Sequence, residues 1–287
     1  MPSKKILRKI QSPQRHWVGD GFHVQGFLRP NEALNGLTTP FLMLDYANPL
    51  NFSSSKKPRG VGPHPHRGFE TVTLAYQGEI EHRDSAGGGG IIRPGDVQWM
   101  TAGRGLVHDE FHSKEFTKNG GLFEMIQLWI NLPKKFKMTE PKYQSLQKQE
   151  IPYLKIGNSS KLRVIAGAYK NIRGSAKTFT DVNVFDINSN GADDLSIEFH
   201  EGFNTIFLIM HGSVEIEGKP YNNNTMLVFD NKECNLNLST SSDFKGLFLS
   251  ARPINEPIVA YGPFVMNTDK EIKEAITDYN NGIMGVL

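Results

Sequence analysis

At 287 residues the chain is long enough to bury a sizeable core, and its length suggests two domains. Its 32 basic and 30 acidic side chains nearly cancel, so no global field draws it to nucleic acid or anionic lipid. A single cysteine, Cys234, excludes an internal disulfide framework, fits a reducing cytoplasm and reads as a buried or inert thiol.

The start carries Lys4, Lys5, Arg8, Lys9 and Arg15, interrupted by Ile6, Leu7 and Ile10, and predicts a solvated arm or a first strand. It leads into Gln11, Ser12 and Pro13 and not into an apolar stretch, so no signal peptide is expected. The longest apolar run, 206–210, falls far short of the roughly 20 residues that a membrane helix needs. These features predict a soluble cytoplasmic protein.

Glycine (28) and proline (16) recur at short intervals, which favours strands and turns over long helices. Strands are predicted over 69–76, 80–83, 91–92, 97–101 and 106–112. Their separators are Gln77-Gly78, a loop carrying Gly87, Gly88, Gly89 and Gly90, the turn Arg93-Pro94-Gly95-Asp96, and Ala102-Gly103-Arg104-Gly105. Such even spacing indicates an all-β antiparallel barrel or sandwich. The glycine run lacks the Gly-Lys-Ser/Thr ending of a phosphate loop and opens no helix, so a mobile hairpin loop on a cavity rim is expected.

Residues 134–150 are rich in Lys and Gln, broken by Pro141 and flanked by Pro133 and Pro152. They read as a linker between a domain over 1–133 and another over 151–287. In the second half, strands over 205–210 and 213–217 flank His211-Gly212 as a predicted hairpin, followed by strands over 226–229 and 244–249. The repeated style predicts a duplicated barrel. Thr268 and Glu271 form a capping box before an apolar face of Ile272, Ala275, Ile276 and Tyr279, with Asn281-Gly282 as the stop. This short C-terminal helix is expected to cover a barrel end or the seam between domains.

The chemistry lies in two pairs, His64-Pro65-His66 and His108-Asp109-Glu110. Spacing of i, i+2 in a strand puts both members of a pair on one face. Two neighbouring strands then aim three imidazoles and one carboxylate at a common point, a donor set that suits a divalent transition metal. Four protein ligands leave positions open on a six-coordinate ion. Pro65 removes a backbone donor and argues for an edge or irregular strand. His112 shares the parity of His108 and Glu110, as a fifth ligand, an orienting donor or an exposed bystander, the last two being favoured. Glu70 shares the parity of His64 and His66, and a role other than ligand is favoured, either orienting an imidazole or pairing with Arg67. His16, His23, His82, His200 and His211 lack comparable pairing and read as structural or exposed.

The strings HPHRGFETVT at 64–73, PGDVQWMTAGRGLVHDE at 94–110 and GPFVMNT at 262–268 resemble the pirin family of bicupins, and together they span most of the chain. Gly105-Leu106-Val107-His108 keeps the glycine-x-x-histidine ending of the second cupin motif, with Gly103 where cupins usually carry proline, as in the pirin version. The resemblance implies an all-β bicupin of two antiparallel β-barrels of the double-stranded β-helix or jelly-roll kind. It implies iron bound only in the N-terminal barrel, by His64, His66, His108 and Glu110, with the C-terminal barrel lacking ligands. Iron(II) is the expected ion, and Mn, Ni, Cu, Co or Zn would suit the same donors.

Family members are described in two ways: as dioxygenases that open the heterocycle of flavonols such as quercetin, and as metal-dependent regulators that bind transcription factors or metabolic enzymes. In the first role a flavonol-like substrate and O2 are the partners, and Glu110, as ligand or transiently released, is the candidate catalytic base. In the second the same iron is a redox switch for a protein partner. A monomer without direct nucleic-acid or membrane contact fits both.

Overall fold

The computed structural model describes residues 3–30 and 35–287. Strands dominate, as expected, and the described residues fall into two compact units. The first contains 14–30, 41–148 and 254–287; the second contains 3–13, 35–40 and 149–253. Neither is contiguous, which differs from the expected division at 1–133, 134–150 and 151–287. Backbone pairing is the reason. Strand Ile6–Gln11 pairs with Thr225–Phe229 in the second unit. In the first unit the amide of Val265 donates to the carbonyl of Arg67, and Lys137 Nζ donates to the carbonyls of Gly68 and Val265 at 2.8 and 2.9 Å. The expected linker also contains a strand, Lys142–Leu146, paired with Val97–Thr101.

Each unit has a seven-stranded and a four-stranded antiparallel sheet among its described residues, with matching strand order; only the edge strand of the larger sheet joins differently, Lys142–Leu146 following its unit's other strands and Ile6–Gln11 preceding them. In the first, the four-stranded sheet runs Gly60–His66, Leu106–His112, Ile80–Asp84, Gly89–Ile92. In the second, Asp193–Glu198, Asn235–Thr240, Ser213–Ile216 and Lys219–Asn222 stand in the same order. Gly60–His66 is an edge strand, where the prolines at 63 and 65 cost no ladder hydrogen bond on the open side. The expected hairpin across His211-Gly212 is instead a corner: Asn204–His211 pairs within the seven-stranded sheet and Ser213–Ile216 within the four-stranded one. Gly212 makes the corner at φ 71°, and the hairpin turn falls one strand later at Glu217-Gly218.

The second unit fills its interior with side chains of both sheets, among them Phe207, Phe248, Leu195, Ile197, Leu236 and Leu238. The helix Asp269–Asn280 begins as predicted, with Glu271 N donating to Thr268 Oγ1 and Asn267 N donating to Glu271 Oε2. Its face is narrower than expected: Ile272 and Ala275 are buried, whereas Tyr279 is exposed. Ile272, Ala275 and Met284 share one apolar cluster with Val107, so the helix lies over the first unit's four-stranded sheet. No helix among the described residues is long and apolar enough to cross a membrane.

Candidate metal centre

Three adjacent strands bring the donors together. Leu106–His112 is central: His108 lies opposite His64 on one side and opposite Asp84 on the other, while Glu110 lies opposite His82. One donor atom each from His64, His66 and His108 lie within 4.8 Å of one another, and so do those from His82, His108 and Glu110. The structure therefore gathers the three expected imidazoles, with His108 shared between that group and the one containing Glu110. The imidazole centroids of His64 and His66 lie 4.2 and 4.8 Å from that of His108. His66, His108 and Glu110 are buried and His64 is half-buried.

The hydrogen bonds leave ring nitrogens ready to ligate. His64 Nδ1 lies 2.9 Å from the Gly62 carbonyl and His66 Nδ1 3.2 Å from the Pro263 carbonyl. A carbonyl only accepts, so each Nδ1 carries the proton and each Nε2 keeps its lone pair. His108 Nε2 is buried without a hydrogen-bond partner. A buried nitrogen left unpaired is costly, and a divalent cation would satisfy it. Burial, reinforced by the neighbouring imidazoles, pushes His66 and His108 well below the usual histidine range, so both are neutral donors at physiological pH. The residues present thus fit a first-row divalent ion.

Glu110 is held by its neighbours: Gln98 Nε2 donates to Oε1 at 2.6 Å, and Thr73 Oγ1 lies 3.2 Å from the same oxygen. Tyr143, from the segment expected to be a linker, stacks on His82 with centroids 5.0 Å apart and planes 11° apart. His82 was expected to be structural or exposed and is fully buried inside the cluster. Its i, i+2 relation to Asp84 was the signal available, since both fall on one strand face.

The other expected residues have different outcomes. His112 is neither exposed nor in either donor group; its Nε2 donates to the Gly21 carbonyl at 2.9 Å amid Phe22, Phe52, Phe116 and Phe123. Burial lowers it to about 4. Glu70 also lies outside both groups; burial pushes it up to about 7, and its Oε1 accepts from Thr101 Oγ1 at 2.7 Å. Arg67 pairs with Asp278 at 2.8 Å instead of with Glu70. Cys234 is a half-buried free thiol. The glycine run does not line the cavity at the donors.

That cavity measures about 350 Å³. His64, His66 and Glu110 form one wall, and Phe22, Val24, Met43, Met125 and Trp129 make much of the rest apolar. Arg29 and Asp45, an ion pair, and His16 add a polar corner, with Arg29 Nη2 3.2 Å from His16 Nε2. In the first unit, an apolar walled chamber with one metal-ligating face can bind a flat, largely apolar molecule beside an ion.

Comparison with known proteins places this geometry. The Pirin family model matches residues 23–130, and that of the Pirin C-terminal cupin domain matches 184–285. A candidate quercetin 2,3-dioxygenase of Pseudomonas aeruginosa is 43% identical over 280 residues, covering 97% of this chain and 98% of the relative. A pirin-like protein of Solanum lycopersicum is 37% identical, with 98% and 92% covered. The crystal structure of a quercetin 2,3-dioxygenase from Acinetobacter baumannii superposes with a TM-score of 0.95 at 47% identity, covering 99% of each chain.

Proposed function

Since the chain belongs to the pirin family of bicupins, we propose that it is a mononuclear non-haem iron protein that cleaves flavonols such as quercetin with O2. In this reading each unit closes into a jelly-roll cupin barrel, iron(II) is held in the first by His64, His66, His108 and Glu110, and the protein acts as a cytoplasmic monomer. The carrying observation is that the donor cluster opens on a largely apolar cavity of about 350 Å³. That volume lies within the range of about 300–1,000 Å³ typical of small-molecule sites. The names of the relatives from P. aeruginosa and A. baumannii support the same substrate class.

When bound, the ion supplies a Lewis acid for an ionising hydroxyl and one-electron chemistry with O2. The protein supplies the rest. Gln98 and Thr73 engage Oε1 of Glu110, which leaves its other carboxylate oxygen for the ion; on release from the ion, that same oxygen would accept the proton of the flavonol hydroxyl. Phe22 and Trp129 line the cavity and exclude water from the reacting end. Arg29 and Asp45 meet ring hydroxyls at the polar corner.

Purified protein loaded anaerobically with Fe(II) and then exposed to O2 is expected to consume quercetin, read by absorbance, and O2 in step. His66→Ala is expected to lose both signals, and turnover that survives this substitution would overturn the reading.

A further inference from the structure

Behind the donor cluster lies a chain of hydrogen bonds that none of the ligand roles uses. Asp84 Oδ2 lies 3.1 Å from His82 Nε2, and His82 Nδ1 lies 3.2 Å from His108 Nδ1. The far end of that chain is His108 Nε2, the buried nitrogen without a partner. At the near end, the amides of Ala86 and Gly88 each donate to Asp84 Oδ1 at 2.9 Å. Burial alone would raise Asp84, but the hydrogen bonds from His82, Gly88 and Ala86 outweigh it and hold the carboxylate below its usual range. The carboxylate can only accept, so His82 carries its proton on Nε2 and presents Nδ1 as an acceptor. His108 must then donate from Nδ1, which leaves Nε2 as the lone pair.

We infer that Asp84 and His82 are positioning residues that fix the tautomer and ring orientation of His108 so that its Nε2 faces the metal, and that the glycine run exists to seat Asp84. Both nitrogens of His82 are engaged, so it is not itself a ligand although it lies in a donor group. Tyr143 stacks on the His82 ring and holds its plane. Gly88 is required for space: a Cβ there would come within 2.3 Å of Asp84 Oδ2 and 2.7 Å of Tyr143 Cβ. The carboxylate of Asp84, one strand face, one stacked ring and one loop thus orient a single ligand nitrogen, an arrangement common behind metal-bound histidines.

Asp84→Asn gives a directional test. The amides of Ala86 and Gly88 face one carboxylate oxygen, so the carboxamide oxygen must take that place and the NH2 must face His82. His82 Nε2 then has to accept, its proton moves to Nδ1, and His108 is driven to protonate Nε2, the ligating nitrogen. The inference rests on His108 being a ligand, so the two are read separately. In full-length metal-free protein labelled with 15N at histidine, the native chain is expected to show His108 protonated on Nδ1, and Asp84→Asn to move that proton to Nε2. With Co(II) as the probe, competed against a chromophoric chelator, Asp84→Asn and Gly88→Ala are each expected to weaken binding about 10- to 100-fold and to shift the visible Co(II) band.

Native Co(II) affinity and spectrum in both variants, or a native His108 already protonated on Nε2, overturns the positioning role. Gly88→Ala serves where Asp84→Asn does not fold. His66→Ala is the separate arm: loss of Co(II) there supports the ligand set, and undiminished binding strikes the ligand set itself.

Discussion

The two units share one order of strands and fill it with opposite chemistry. Where the first unit carries His64, His66 and His108 on an edge strand and its inner neighbour, the matching strands of the second carry Leu195, Ile197, Leu236 and Leu238. The burial pattern follows. Asp193–Glu198 alternates strictly between buried and exposed, as a sheet with one wet face should. Leu106–His112 is buried at nearly every position, because its outer face is covered by the Ile272 and Met284 side chains and its inner face is occupied by imidazoles and a carboxylate. A common scaffold can therefore be held together by apolar filling or can host reactive donors, but the second use leaves buried polar atoms that need partners.

The largest expected effect tests the apolar unit. Phe207 and Phe248 stack with centroids 4.0 Å apart in its interior. Phe207→Ala is expected to cost about 3–5 kcal/mol in urea unfolding, with Co(II) affinity unchanged. Loss of metal binding in this variant would break the separation of roles. A smaller effect belongs to the donor unit. Co(II) at a hundred times its dissociation constant should stabilise the native chain by about 3 kcal/mol, and His108→Leu should remove that gain, as read from unfolding curves with and without metal. Retained stabilisation would mean that the ion sits elsewhere.

The smallest effect concerns the polar interior in the absence of metal. Glu70 has a folded value of about 7 against an ordinary 4.5, so its neutral form is favoured by the fold. Its contribution is fully present below 4.5 and is lost as pH rises towards 7. Glu70→Gln, which stays neutral, should gain on the native chain across that window by no more than about 1.4 kcal/mol per pH unit. Unfolding free energies at pH 5 and pH 7.5 measure the difference, and equal gains at both would refute it.

The donor residues were legible because i, i+2 spacing survives any choice of strand partner. His66 and His108 could be singled out before their strands were known to be neighbours. His82 uses the same spacing, but its mate is Asp84, an acceptor and not a second imidazole, so the pair signals an orienting role and not a pair of ligands. Tyr143 was hidden by the Lys- and Gln-rich composition of 134–150, which resembles a linker until pairing with Val97–Thr101 is known. The corner at Gly212 and the unit to which Ile6–Gln11 belongs were illegible for one reason: long-range strand pairing leaves no local mark in the sequence.

The segment 254–287 has a consequence for synthesis. His66 relies on the Pro263 carbonyl, 197 residues further along the chain. At about 5–20 residues per second a ribosome needs about 10–40 s to make that stretch. Through that interval the nascent first unit has its histidines but not the acceptor that turns one of them, nor the Ile272 and Met284 cover over Val107. The whole of 149–253 has been translated before the pocket can be finished. The arrangement of the donor cluster is thus completed late, once residues 263–284 have been made, and is not a property of residues 1–133 alone.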